Sequence, residues 1–563
     1  METFLFIFPL LSYLLFQFFS QKIKTGNLYA FNYLLCTLNF SLSIYIFIKI
    51  LNLNTDLPLF FFKIIKVDNL LIDWSLRFDL FVSSLIVLIT FIGLLLTVYL
   101  TNLSKNHLTN FKINSYLSLS IFSVLILITS NNLIQFFLGW YLVIISSYLI
   151  YNIFKNTVDN SNIFFENRVS DLCFFLSLYF IYTFSKSINF DVIFKSYETI
   201  ENNTTILNYT FSNFEIIIFI LFFSFLLRFR QFYISNSSYD LLNLNTSSYS
   251  LLLYGLYIPI GLYFILRFLS LTHLSLNYSN IILLLGLIFT LIFSILLFQS
   301  YKLNKLILYI ASSQFCILLI GVGLKLYNAV LFYFFTSIIT LLILSLSFGI
   351  ISSKLNNEQD IRKMGNLIIK CPFTFLFILI GFVSLLGVPY FSGFYSHQLF
   401  LSQISIINEK SYFYIFTYCF YYTFVMSYIS FKIILIVFLG ENNCNIHLYN
   451  KIKEESYYLK FILFILSVLI IFLGWYLNNL FTGNFGENLW RLVLIEDISF
   501  SINNNFDKNE ELLKTRNIVC YIGIFLAFLN YFIFPKLGNN LRLKNNKLFR
   551  YYLKSFTSYD FNR

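Results

Sequence analysis

Residues 373–398 read FTFLFILIGFVSLLGVPYFSGFYSHQ. An apolar run as far as Leu386 is stopped at Gly387-Val388-Pro389, because proline has no N–H for the helix ladder and disfavours helix at the residue before it. Beyond the stop, a more polar stretch carries Ser396, His397 and Gln398. Irregular backbone between apolar segments survives in a bilayer only where protein or a water-filled cavity encloses it. The stretch therefore predicts a membrane helix broken part-way, with polar groups at the break. A second interruption stands at RFRQFYISNSSYDLLNLNTSS (228–248), and two breaks at corresponding places in two halves are the trace of an inverted repeat.

The rest of the chain agrees with a membrane protein. Hydrophobic residues make up 58% and charged residues 11% of 563, far below the quarter or so that is charged in soluble domains. Apolar runs near the length of about 20 residues that crosses a bilayer recur from Phe4–Phe19 to Ile518–Phe534, roughly fifteen in all. No polar stretch is long enough for a soluble domain, so the fold class is an all-α polytopic bundle. Four segments are expected: N-terminal helices over 1–110, two halves over 111–275 and 276–440, and C-terminal helices with a basic tail over 441–563. Within the first, residues 56–79 partly alternate apolar and polar, which fits a surface hairpin or an irregular loop.

Composition also bounds function. The net charge of +12 sits largely in loops and in the tail at Lys536, Arg542, Lys544, Lys547, Arg550 and Lys554, as loop orientation requires and not as a nucleic-acid surface does. Seven scattered cysteines without a CxxC spacing encode neither an iron–sulfur cluster nor a zinc site. With 73 Phe and 41 Tyr against 19 Gly and 6 Pro, residue choice follows AT-rich codons, as in organellar genes. Met1-Glu2 lead straight into the first apolar run with no Arg-rich presequence, which fits synthesis inside the organelle.

Six stretches in order carry a family resemblance. They are Asp73–Asp79 (DWSLRFD); Asn131–Trp140 (NNLIQFFLGW) with Ser147-Tyr148-Leu149; Asn167–Asp171 (NRVSD); Lys305–Gln314 (KLILYIASSQ); the break Gly387-Val388-Pro389 with Ser392–Ser396; and Glu358–Gly365 (EQDIRKMG). Together they resemble chain-5-type subunits of respiratory NADH-ubiquinone oxidoreductase, complex I, which are related to the large chains of Mrp-type cation/proton antiporters. The resemblance implies proton translocation driven by quinone reduction elsewhere in the assembly. It places NADH, FMN, iron–sulfur clusters and ubiquinone on other subunits and leaves this chain without a cofactor. It further implies a phospholipid such as cardiolipin as a possible ligand, a chain-4 homologue, accessory subunits and supercomplex components as partners, and the mitochondrial inner membrane as location. A stand-alone Mrp-type antiporter and a purely structural membrane subunit are the alternatives.

Departures from the family pattern fall on its chemistry. Where the family keeps a Glu after Gly-Trp this chain has Tyr141; the lysine of the broken seventh helix becomes Arg228, a histidine becomes Leu253, the eleventh-helix lysine becomes Leu341, and Lys-Asp at the twelfth becomes His397-Gln398. A relay needs groups that bind and release a proton near working pH, and arginine effectively never releases one. Relay candidates are therefore Tyr141, Arg228, Lys305, Ser337, His397 and Lys432, with His397 the one position among those aligned that ordinarily titrates near neutrality. A lone His at a break is more often a hydrogen-bonded structural residue, and the pattern favours no crossing over a hydroxyl route. Lys432 lies well inside its apolar run, where a cation must find a partner or a cavity. Structural or interface roles are expected for Arg168, Asp171, Glu358, Asp360, Arg362 and Lys363, with the dense loop pinned by charge-assisted bonds. Only residues 535–563 follow the last run, so the family's lateral C-terminal helix is expected to be absent or truncated.

Overall fold

A computed structural model describes residues 2–19, 25–53, 57–67, 70–103, 107–154, 161–196, 203–206, 209–229, 258–267, 276–406, 412–452, 454, 456–482 and 506–533. The expectations for 230–248, for Leu253 and for a lateral helix after Phe534 lie outside the described residues. The chain divides into two compact units, the first built on Met1–Leu284 with Val322–Asn328 and Asn479–Phe500, the second on Leu285–Gly321, Ala329–Asn478 and Ser501–Arg563.

In the first unit helices α1 (Phe4–Phe19) and α2 (Thr25–Leu53) precede a hairpin of β1 (Leu57–Val67) and β2 (Leu70–Phe78). Its strands pair antiparallel from Leu57 opposite Phe78 to Val67 opposite Leu70, and Phe62 stacks on Trp74 across them. Of the two readings open for 56–79, the hairpin is the one that forms. Pro58 sits beside the strand's first residue, where a missing N–H costs least. Helices α3 (Leu80–Leu103), α4 (His107–Ile128), α5 (Leu133–Phe154), α6 (Ser161–Ser185) and α7 (Phe190–Ser196) follow, then a short pair β3 (Asn203–Ile206) and β4 (Tyr209–Ser212), α8 (Asn213–Phe229) and α9 (Ile258–Arg267). The NNLIQ motif explains the start of α5. Asn132 Oδ1 accepts the N–H of Gln135, which caps the helix, while its Nδ2 donates to Asp73 O at 2.6 Å and Asn131 Nδ2 donates to Ser75 Oγ at 3.1 Å.

The second unit contains most of α10 (Leu276–Gln299), α11 (Leu303–Gly323) and α12 (Tyr327–Lys354), a single 3-10 turn (Ile361–Lys363), then α13 (Pro372–Leu385) and α14 (Ser392–Ile406). Helix α15 (Tyr412–Ile433) runs on as a π-turn over Ile434–Leu439, and α16 (Ile446–Lys451), α17 (Tyr457–Thr482) and α18 (Phe506–Phe528) complete it. Helix α13 begins with Pro372 in its first turn, where the missing N–H has no partner to lose.

Among the described residues ten helices are long and apolar enough to cross a membrane, and three shorter apolar helices accompany them. Helices α11 and α12 have 94% of their apolar windows buried, against 22% for α18, so the former are enclosed all round and the latter presents Tyr521, Phe525 and Phe528 outward. In lipid, such packing is driven by van der Waals contact and interhelical polar bonds, since hydrocarbon is as apolar as leucine. The numerous buried serines fit this: Ser312, Ser313, Ser345 and Ser347 return their hydroxyls to carbonyls three or four residues back on their own helices.

Candidate functional site

The break between α13 and α14 forms as the Gly-Val-Pro sequence demands. The N–H of Leu386 still reaches Phe382 O at 2.9 Å, then Gly387 turns into the left-handed region at φ +67 and bonds back to Ser384 O. An added Cβ at Gly387 would overlap the Arg516 guanidinium and stand 3.0 Å from the His397 ring. Three successive carbonyls end α13, and side chains from two other helices take all of them. His397, on α14 and 8% exposed, holds Leu385 O with Nε2 at 3.2 Å. Arg516, on α18 and 1% exposed, donates through Nη2 to Leu386 O and, at 2.6 Å, to Gly387 O. A carbonyl can only accept, so the His397 bond puts a proton on Nε2 and leaves Nδ1 of the neutral ring as the lone-pair nitrogen.

A buried polar string adjoins the break. Tyr333 on α12 meets the His397 ring edge to face with centroids 5.1 Å apart, and its hydroxyl donates to Gln314 Oε1 on α11. The amide of Gln314 in turn donates to the Tyr422 hydroxyl on α15 at 2.5 Å. Beside it, Thr336 donates to Ser396 Oγ at 3.0 Å, and the Ser384 and Ser392 hydroxyls lie 3.2 Å apart across the break. The hydroxyl expected from Ser337 does not join: it donates to Phe334 O on its own helix, and Thr336, one residue earlier, makes the cross-helix bond. Leu341 is buried on α12.

Glu358–Gly365 is pinned at the α10–α11 junction. Leu303 N–H donates to Gln359 O at 2.9 Å and Ile361 N–H to Tyr301 O at 3.0 Å, a short antiparallel bridge. Asp360 caps the 3-10 turn through the Arg362 N–H and takes the Arg362 guanidinium at 2.6 Å, and Glu358 meets Lys363 at 3.3 Å. Burial pushes the Asp360 carboxyl up, yet the Arg362 bonds and the nearby Lys363 outweigh it and hold it below its ordinary value. Gly365, at φ +143, lies so close to Glu441 O that any Cβ would overlap it. Lys432 also ends here. Its Nζ donates to Phe298 O at 3.3 Å, satisfying a carbonyl in the last turn of α10, and sits 4.4 Å from the Tyr301 ring, which Arg362 approaches at 4.7 Å. The cation inside the apolar run thus has its partner at a helix end. Lys305 occupies the first turn of α11, half-buried.

In the first unit Tyr141, the ninth residue of α5, accepts a hydrogen bond from Arg168 Nη1 at 3.1 Å, and Arg168 lies 3.6 Å from Asp171. Asn167–Asp171 stand inside α6, which begins at Ser161. Arg228 falls in the last turn of α8. Sequence reasoning did not single out a four-residue ion network at the hairpin. Asp79 accepts from Arg77 Nε at 2.6 Å and from Arg267 Nη1 at 2.5 Å, and Arg77 continues to Asp191. Burial raises the Asp79 carboxyl, and Arg267 with Arg77 overcomes this and holds it below the usual carboxylate range.

The candidates therefore separate. Tyr141 with Arg168 and Asp171 belongs to the first unit, and His397 with the Tyr333–Gln314–Tyr422 string to the second, where Lys432 and the Glu358–Lys363 loop form another cluster. Gln314 was legible only as the end of a motif. Tyr333 and Tyr422 gave no signal beyond being polar residues inside apolar runs, and Arg516 none beyond standing just before one.

Residues 130–425 match the family described as NADH:quinone oxidoreductase/Mrp antiporter, transmembrane. NADH-ubiquinone oxidoreductase chain 5 of Chondrus crispus is 28% identical over 552 residues, covering 95% of this chain and 82% of the relative. Chain 5 of Acanthamoeba castellanii is 27% identical over 496 residues, 86% of this chain and 72% of the relative. Among solved structures, the Mrp complex from Dietzia sp. DQ12-45-1b superposes with a TM-score of 0.75 at 13% identity, over 98% of this chain and 58% of that one, a likeness that establishes the fold.

Proposed function

This chain belongs to the NADH:quinone oxidoreductase/Mrp antiporter family, and we propose that it is the chain-5-type subunit of the membrane arm of a proton-translocating NADH:ubiquinone reductase. It performs no redox chemistry itself. NADH, FMN, iron–sulfur clusters and ubiquinone belong on other subunits, and the antiporter-like halves on 111–275 and 276–440. The organelle-like composition and the relatives' names support the mitochondrial inner membrane, with a chain-4 homologue, accessory subunits, supercomplex components and phospholipids such as cardiolipin as neighbours.

The observation that carries a transport role is the buried string from Tyr422 through Gln314 to Tyr333, ending against His397 at the broken helix. Buried polar groups inside membrane helices are costly and mark ion or proton paths. Gln314 fixes the two tyrosine hydroxyls, and His397, whose Nδ1 is its lone-pair nitrogen, is the group that takes up and yields the proton. This replaces a carboxylate–lysine relay with a hydroxyl–imidazole one. It departs from the expectation that no proton crosses, which rested on the aligned substitutions alone and not on Tyr333, Gln314 or Tyr422.

A structural subunit without transport is the second reading, favoured by the absence of any carboxylate from the string among the described residues. The ratio of protons moved to electrons transferred in coupled vesicles, measured on His397→Gln, separates the two: a fall supports transport here, and an unchanged ratio supports the structural role.

A further inference from the structure

Arg516 is a permanently charged side chain enclosed almost completely in apolar surroundings, and among the described residues no carboxylate pairs with it. What it has instead is backbone. The last carbonyls of a helix lack intrahelical partners and carry the negative end of its dipole, and in a membrane interior they must be satisfied by protein groups. At the end of α13 the work is divided between two helices, His397 of α14 taking Leu385 O and Arg516 of α18 taking the next two. Gly387, where an added Cβ would overlap the guanidinium and approach the imidazole, sits against both.

We propose that Arg516 is the positioning residue of the broken helix: by clamping the Leu386 and Gly387 carbonyls it fixes the turn on which His397 keeps its Nε2–H on Leu385 O. Without the clamp, two carbonyls at the end of α13 lose their partners, and the turn that carries Leu385 O to the imidazole loses its fixed geometry. The guanidinium suits this task because the two N–H groups of Nη2 reach two successive carbonyls and the group cannot be neutralised.

This inference rests on His397 being the proton carrier, and the experiment separates the two claims. The ratio of protons to electrons is measured in coupled vesicles on assembled complex carrying R516M, R516Q, R516K or H397Q. R516M has no donor, and R516Q is too short to reach the carbonyls, whereas R516K keeps a charged donor of nearly the original length. R516M and R516Q are expected to lower the ratio as far as H397Q does, and R516K to recover at least half of the loss. A wild-type ratio in assembled R516M or R516Q, or an R516K no better than they are, overturns the clamp. If neither assembles, R516K decides alone: a wild-type ratio supports the clamp, and one as low as in H397Q overturns it. A full ratio in H397Q, whatever Arg516 does, overturns the carrier role of His397 instead.

Discussion

Tyr333 and His397 meet edge to face across helices α12 and α14, with ring centroids 5.1 Å apart, and each is tied on its far side to a different helix. Tyr333 is held by Gln314 of α11, and His397 by the carbonyl end of α13. The contact therefore joins the enclosed helices of the second unit to the broken one, and anything that moves the break moves the imidazole relative to the tyrosine.

Gly387→Ala tests that coupling through the backbone. A side chain at φ +67 costs about 1–2 kcal/mol on its own, and here the new Cβ also overlaps Arg516. The amount of assembled complex on a native gel should fall several-fold, and wild-type levels would mean that the break tolerates rearrangement.

Asp79→Asn removes the negative charge between two arginines while nearly keeping the shape. Breaking a buried pair from one side leaves a buried charge uncompensated, at a cost of about 3–5 kcal/mol, and the Arg267 side chain is only 8% exposed. The variant should fail to accumulate in the complex. Normal accumulation would show that the network is not needed to hold the hairpin, α3 and α9 together.

Asp360→Ala and Arg362→Ala should each lower the thermal stability of the assembled complex, with the double variant no worse than the sum. The Arg362 side chain is 39% exposed, so the coupling between the two is the 0.2–1 kcal/mol or so typical of solvent-screened pairs. Protons moved per electron should stay at the wild-type value, because this cluster lies at a helix junction. A changed ratio with unchanged stability would put the loop in the transport path.

The anchorage of the same loop should be indifferent to pH over the physiological range. Asp360 is held below its ordinary value in the folded chain, so its contribution is fully present above the unfolded pKa of about 3.9 and disappears as pH falls through the folded one. Hydrogen exchange of the Ile361 and Leu303 amides reports it. Loss of protection between pH 5 and 8 would contradict the assignment of Asp360 as the group that holds the turn.

The break was legible because Gly-Val-Pro acts locally on the backbone, and Pro58 with alternating residues left the hairpin level with a loop; the cap that Asn132 gives α5 was not read from the sequence. The pinned loop was legible from charge density alone. The polar string was not, since Gln314, Tyr333 and Tyr422 come from three helices and nothing in their spacing shows that they converge. Arg516 was invisible for the same reason: a single arginine near the start of an apolar run reads as a snorkelling end residue, and only the packing of α18 on the break turns it inward. Ser337 bonds Phe334 O because a helical serine satisfies itself on its own backbone first.

The transport role through His397 is tested most directly by the proton-to-electron ratio of coupled vesicles containing His397→Gln, measured beside wild type with quinone reduction recorded in the same preparation. A hydroxyl–imidazole path through the second unit predicts a lower ratio at a given rate of electron transfer. A ratio equal to that of wild type would show that no proton passes through His397 and leave this chain a structural part of the membrane arm.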